Sequence, residues 1–116
     1  MAKLERNIHG DFQEILTAIE DGILEGSVSA TLEDTSDFAG TASRCSVRIF
    51  ERYSYLGSNR VSLSVTLFQE ADGPIFLSAI TSGGSQAVFF KINTIGEETF
   101  LSELEELLDS ICNDQP

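Results

Sequence analysis

Alternation of apolar and polar side chains dominates the middle of the chain. Between Cys45 and Thr81 it has period two and is interrupted only by residues typical of turns. This pattern predicts antiparallel strands that follow one another along the chain. The clearest strand runs from Arg60 to Gln69, and its predicted buried face consists of Val61, Leu63, Val65 and Leu67. We expect the rest of the chain to pack on this sheet.

Further strands flank this one. Strands are predicted at residues 42–55 and 74–82, with reversals at residues 56–59 and 71–73. A short edge strand is predicted at residues 3–9, and another strand at residues 27–34, with a turn-rich connection over residues 33–41. Aromatic and β-branched residues at 86–93 predict a last strand.

Helical spacing of apolar residues predicts a helix near each end. Asp11 is a suitable N-cap, Glu14 completes a capping box, and a helix over about residues 11–24 follows. Its apolar stripe consists of Phe12, Ile15, Leu16, Ile19 and Ile23. A second amphipathic helix is predicted over residues 95–112, with an apolar side made of Phe100, Leu101, Leu104, Leu107, Leu108 and Ile111.

Length and charge limit the classes of function. A chain of 116 residues predicts one domain spanning residues 1–116. Asp and Glu total 19 against 7 Lys and Arg, so the formal net charge is -12, which disfavours nucleic acid and anionic lipid as partners. No apolar run reaches the length of a signal peptide core or a membrane span, so we expect a cytoplasmic protein with no membrane partner.

The predicted order is strand, helix, four or five antiparallel strands, helix. It predicts an α+β fold with a five- to six-stranded antiparallel sheet. This order resembles the TATA-binding-protein-like arrangement, which the helix-grip lipid and hormone carriers share in enlarged form. The resemblance implies a bent sheet with both helices on one face and, in the helix-grip group, a cavity under the C-terminal helix, although this chain is shorter than members of that group.

Two segments carry a second resemblance, RCSVRIFERYSYLGSNRVSLSVTL and IFLSAITSGGSQAVFFKINTIGEE. They are similar to a family of small uncharacterised proteins from Gram-positive bacteria. That likeness implies a bacterial protein and brings no activity with it.

Catalytic and metal-binding residues are scarce. His9 is the only histidine and falls near a predicted edge strand, so an exposed surface histidine is favoured over a catalytic triad. Cys45 and Cys112 are too few and too far apart for a zinc site, and the acidic residues at 33–37 and 103–106 lack the spacing of a calcium loop. We therefore expect no catalytic residue, no metal and no cofactor. The scarcity of proton-transfer groups favours binding over catalysis.

The outer face of the predicted sheet supports the first functional hypothesis, a non-enzymatic binding domain. Four large apolar residues lie in phase with the polar set rather than the buried set, namely Phe50, Phe68, Phe76 and Ile80. Such a patch predicts a cover, either a second copy of the chain or an apolar small molecule. A β-bulge that reverses the phase would instead place some of them in the core.

The second hypothesis is an anionic-metabolite sensor or enzyme with a pocket at the loop over residues 82–86. Arginines on one strand face and a loop rich in glycine and serine could hold an anion. The predicted lining consists of Arg48, Arg52, Tyr53, Tyr55, Ser82, Gly83, Gly84, Ser85 and Gln86. The alternative for the arginines is simple balancing of the acidic residues, and the alternative for the loop is a hairpin turn.

Overall fold

A computed structural model describes the backbone of residues 1–54, 59–83 and 90–113, and side chains at 1–53, 60–83 and 100–111. Its elements are β1 (Ala2–Ile8), α1 (Phe12–Gly26), β2 (Thr31–Ala39), β3 (Ser43–Ser54), β4 (Asn59–Glu70), β5 (Ile75–Gly83) and α2 (Phe90–Asn113). In this part of the chain the strands form one open antiparallel sheet in the order β1-β5-β4-β3-β2. The predicted α+β class is confirmed.

One hydrophobic core lies between the sheet and the helices. The predicted buried face of β4 is confirmed, because Val61, Leu63, Val65 and Leu67 are all fully buried. Ile75, Leu77 and Ala79 of β5 join this face. The helices add the whole predicted stripe of α1 together with Phe100, Leu104 and Leu108 of α2. Because both helices share this core, they cover the same face of the sheet.

The start of α1 follows the predicted capping pattern. Asp11 has an extended backbone, and its carboxylate accepts a hydrogen bond of 2.9 Å from the backbone N–H of Glu14. This bond satisfies one of the amides that lack a partner in the first turn. The helix continues to Gly26, two residues beyond the predicted end.

The phase of β3 corrects one prediction. Phe50 is predicted on the outer face, but it is completely buried in the core. The register explains this, since Phe50 lies opposite Leu63 of β4, and residues directly opposite in an antiparallel pair share a face. The inner face of β3 therefore carries Ser46, Arg48, Phe50 and Arg52, whereas Cys45, Val47 and Ile49 lie on the outer face.

The second strand lies later in the chain than predicted. A strand at residues 27–34 and a loop over residues 33–41 are predicted, but β2 occupies Thr31–Ala39 and residues 27–30 precede it. Most of β2 is exposed, so its sequence carries no burial pattern to mark it. The position of β2 in the chain is determined instead by its pairing with the long strand β3. The register of this pairing shifts between Leu32 and Asp34.

The predicted last strand is also wrong in the part that the structure describes. Residues 84–89 lie outside the described residues, and residues 90–93 form the start of α2. The sheet order gives the reason, because β4 and β1 occupy both sides of β5. A following strand has no free edge of β5 on which to pair.

Close packing at Gly22 joins α1 to α2. A Cβ atom built at Gly22 would lie 2.6 Å from Cδ1 and 3.1 Å from Cγ of Leu107, closer than carbon atoms pack. Glycine inside a helix costs about 1 kcal/mol relative to alanine. Its presence here allows the side chain of Leu107 to pack directly against the backbone of α1.

This contact predicts opposite effects of Gly22→Ala in two backgrounds. In the wild-type chain the added methyl overpacks Leu107, and we expect a net loss of about 1 kcal/mol in the free energy of unfolding. In a Leu107→Ala chain the clash is gone, and the same substitution should raise that free energy by about 0.5–1 kcal/mol through helix propensity. Urea denaturation of the four chains measures the coupling. Equal effects in both backgrounds would contradict the proposed contact.

Candidate functional site

An aromatic row crosses the outer face of the sheet, the face opposite the helices. The row consists of Phe38, Cys45, Phe68 and Phe76, which lie side by side on β2, β3, β4 and β5. The three phenylalanines are 65%, 39% and 47% exposed, and the rings of Phe68 and Phe76 stack with their centroids 6.5 Å apart. Asn7 of β1 ends the row beside Phe76.

The centre of the outer face is uncharged among the described residues. Two further rows of β3, β4 and β5 carry Val47, Thr66 and Ser78, then Ile49, Ser64 and Ile80. Charged groups lie at the perimeter instead, as Lys3 and Glu5 on β1, Asp34 on β2, and the Glu51–Arg60 ion pair of 2.7 Å at the far end. An interface core depleted of charged residues, with a polar and charged rim, is the usual arrangement between proteins, and the outer face follows it.

A groove of about 400 Å³ opens beside the aromatic row, between β1 and the rings of β4 and β5. Its lining combines two stacked rings with small hydroxyl groups and the polar side of β1. The lining residues are Glu5, Arg6, Asn7, Thr66, Phe68, Phe76, Leu77 and Ser78. The groove can accept an apolar group about the size of a side chain.

Of the four residues predicted for the apolar patch, three lie on the outer face. Phe68, Phe76 and Ile80 are exposed there, and Phe50 is in the core. Their role in an interface stays a prediction. Phe38 belongs to the patch as well, but it falls in the predicted loop over residues 33–41. Its position could have been found only from a correct register of β2 with β3.

The inner face of β3 carries a polar cluster around Arg48. The guanidinium is almost buried, and its Nε donates to the carboxylate of Glu20 on α1 at 2.7 Å. Its Nη1 lies 3.0 Å from the carboxylate of Asp37 on β2, which also accepts a hydrogen bond of 2.6 Å from the hydroxyl of Ser46. Arg48 therefore links β2 and β3 to α1.

The electrostatics of this cluster favour the charged forms of Asp37 and Arg48. Hydrogen bonds from Ser46 and then Arg48 keep the pKa of Asp37 below its ordinary value, against a small opposing effect of burial. Burial acts to lower the pKa of Arg48, but the hydrogen bonds to Glu20 and Asp37 outweigh it and raise that pKa. We therefore assign these ion pairs a structural role, which is to hold β2 and β3 against α1.

Two other arginines of β3 lie over aromatic rings of the helices. Arg52 donates to the carboxylate of Glu103 at 2.7 Å, and its guanidinium carbon lies 4.3 Å from the ring centre of Phe100. Arg44 lies over Phe12 at the same distance. These cation–π contacts attach α2 and α1 to β3.

The predicted anion-site residues lie on both faces of the sheet. Arg48 and Arg52 point inward, whereas Tyr53 and Ser82 lie on the outer face, where the hydroxyls of Ser82 and Ser62 are 2.7 Å apart. Gly83 ends β5 opposite Val61. Tyr55, Gly84, Ser85 and Gln86 lie outside the described residues. The described members therefore do not converge on one pocket.

Other candidate features add little chemistry. His9 is exposed just after β1, as predicted, and Cys45 is half-buried in the aromatic row. Among the described side chains, no group of three His, Cys, Asp or Glu residues is arranged to hold a metal ion. No helix in the described part of the chain is both long and apolar enough to cross a membrane.

Acidification tests the Asp37 cluster. A lowered pKa means that the carboxylate stabilises the fold above the unfolded pKa of about 3.9, and that this contribution is lost as the pH falls below it. We expect Asp37→Asn to lower the free energy of unfolding near neutral pH. The difference from wild type should shrink as the pH falls towards about 3.

Urea denaturation across this pH range measures the effect. Asp72→Asn, in the exposed turn between β4 and β5, is the matched control for removing one negative charge from an acidic protein. A loss at Asp37 that stays constant with pH would show that the carboxylate charge does not stabilise the cluster.

Comparison with known proteins places the chain in a family. No curated protein and no solved structure matches the sequence, so the likeness to the TATA-binding-protein-like arrangement stays a prediction. A family model matches residues 1–112, which is nearly the whole chain. The chain belongs to the family of unknown function DUF6054.

Proposed function

We propose that this chain is a non-enzymatic interaction domain that forms a homodimer by packing the outer faces of two sheets. The observation that supports this most directly is the aromatic row, which is exposed on a face that neither α1 nor α2 covers. Large contiguous apolar patches are rare on monomeric proteins and typically mark interaction sites. Face-to-face packing of two sheets is a common way to bury such a surface.

The size of the outer face suits a stable dimer. Five strands spaced about 4.8 Å apart, each contributing about nine residues of about 3.3 Å, give a face of about 700 Å². Specific interfaces bury about 800 Å² of accessible surface on each partner. Because side chains make the accessible area larger than this flat estimate, one outer face is sufficient.

The distribution of charge also favours association through this face. Eight of the 19 carboxylates belong to the described side chains of α1 and α2, on the opposite side of the sheet. In a face-to-face dimer the two helical layers lie outermost, so these carboxylates remain far apart and solvated. Contact through the helices would bring like charges together and is disfavoured.

The inward arginines give less support to an anionic ligand. Arg48 and Arg52 each already donate to a carboxylate at 2.7 Å. A bound anion would have to compete with these carboxylates for the guanidinium groups, and each guanidinium that it took would lose its present ion pair. The outer face requires no such rearrangement to bind a partner.

Charge insertion in the aromatic row tests the dimer. Phe68→Glu places a carboxylate near the centre of the outer face, and an unpaired buried charge costs several kcal/mol. We expect the dissociation constant to rise by at least about 100-fold while the fold is kept. Analytical ultracentrifugation and native mass spectrometry measure the assembly, and circular dichroism measures the fold.

Leu24→Glu is the matched control, because Leu24 is about as exposed as Phe68 but lies on α1. It should leave the dissociation constant unchanged. The wild-type chain should have twice the mass of the 12.6 kDa monomer. A monomeric wild type, with or without a retained apolar molecule, would overturn the homodimer, and retained mass would favour an apolar ligand in its place.

A further inference from the structure

We infer that the two-fold axis of the homodimer runs along β4, so that Phe38 of each chain enters the groove of the partner. This inference rests on the proposed face-to-face dimer and specifies how its two faces are matched. With this axis the outer face is self-complementary, because the ring of Phe38 projects at one end of the aromatic row and the groove lies at the other end.

Symmetry restricts the arrangement. When two sheets pack face to face with two-fold symmetry, the axis lies in the plane of the interface. A residue on one side of the axis then faces the partner's residue that lies, in its own chain, at the same distance on the other side of the axis. β4 is the middle strand of five. An axis along β4 therefore places β2 opposite the partner's β1, and β3 opposite the partner's β5, while each cross-strand row faces the same row of the partner.

The aromatic row is suited to this axis. Phe38 on β2 is the most exposed of its phenylalanines, at 65%. The groove lies at the other end of the same row, between Asn7 of β1 and the rings of Phe68 and Phe76. The axis brings Phe38 over this groove and Phe68 against the partner's Phe68. Aromatic anchors that fill a pocket near the centre of an interface typically carry much of its binding energy.

Charges at the rim favour the same axis. Lys3 of β1 and Asp34 of β2 end one cross-strand row, which also contains Ile80, Ser64 and Ile49. An axis along β4 brings Lys3 opposite the partner's Asp34. An axis perpendicular to the strands through this row would instead place Lys3 opposite the partner's Lys3 and Asp34 opposite the partner's Asp34. Opposite charges across an interface favour the first arrangement over the second.

Cross-linking between two different variants tests the axis. In the row beside the aromatic row, Glu5 of β1 and Ser36 of β2 are exposed on the outer face. With the axis along β4, Glu5 of one chain lies opposite Ser36 of its partner, and Ser36 of the first chain lies opposite Glu5 of the partner. In a Cys45→Ser, Cys112→Ser background, one chain carries Glu5→Cys and a second carries Ser36→Cys. Each sample alone and their mixture are treated with a short bis-maleimide.

We expect a covalent dimer in the mixture and none in either sample alone. Identical positions on β1, or on β2, lie about four strand spacings apart, roughly 19 Å within the plane of the face. Thr17→Cys on the exposed side of α1, mixed with either variant, is the matched control and should give no product. The background chain is first weighed by native mass spectrometry to establish its assembly.

The outcomes separate the two proposals. A dimeric background that yields a product from Glu5→Cys alone would overturn the axis, and the effect of Phe68→Glu on the dissociation constant then decides separately whether the two outer faces meet. A background that is dimeric but gives no product in any sample would overturn the axis as well. A monomeric wild type would overturn both proposals.

Truncation of the ring tests the contact in the groove independently. Phe38→Ala should raise the dissociation constant of the dimer by at least about tenfold, because it removes an anchor. Val28→Ala removes apolar atoms from a fully exposed residue outside the sheet, and it should leave the constant unchanged. An unaltered constant in Phe38→Ala would show that Phe38 does not enter the groove.

Discussion

The structure depends on how much of the sheet two helices can cover. Helices packed side by side lie about 10 Å apart, so two of them cover about 20 Å, whereas five strands span about 24 Å. α1 also falls short along the longest strands, since its 15 residues measure about 22 Å and the 12 residues of β3 about 40 Å. Both helices are therefore needed to cover one face of the sheet. β2 is exposed beyond them, and neither α1 nor α2 covers the opposite face.

The arginines of β3 lie where this cover ends. Apolar side chains fill the centre of the inner face on β4 and β5, but β3 combines the buried Phe50 with Arg44, Arg48 and Arg52. A long arginine can bury its stem under a helix while its guanidinium reaches a carboxylate or a ring at the helix edge. Arg48 and Arg52 do this with Glu20 and Glu103. Groups that suggest an anion site from sequence are thus used to attach the helices.

The sequence predicts the elements that have one regularly buried side. The prediction fails for strands that are exposed, and for strands whose buried face depends on the register with a neighbouring strand. α1 and β4 each have one buried side, so their periodicity is a reliable signal. β3 has apolar residues in both phases, but the reversal predicted at residues 56–59 already pairs even positions of β3 with odd positions of β4, which places Phe50 in the same phase as Leu63. This parity was available from the sequence. β2 could not be predicted, because it is exposed on both faces and contains a register shift.

The side chains of the outer face distinguish it from an ordinary solvated sheet face. A solvated sheet face needs no large apolar residues, and the serines and threonine of β4 at positions 62–66 satisfy that expectation. Phe38, Phe68 and Phe76 depart from it in one row, where sheet pairing brings residues from three separate strands together. A protein with a net charge of -12 has long-range repulsion to keep its copies apart. A face with an uncharged centre and an aromatic row, pointing away from the acidic helices, is the surface on which short-range attraction can overcome that repulsion.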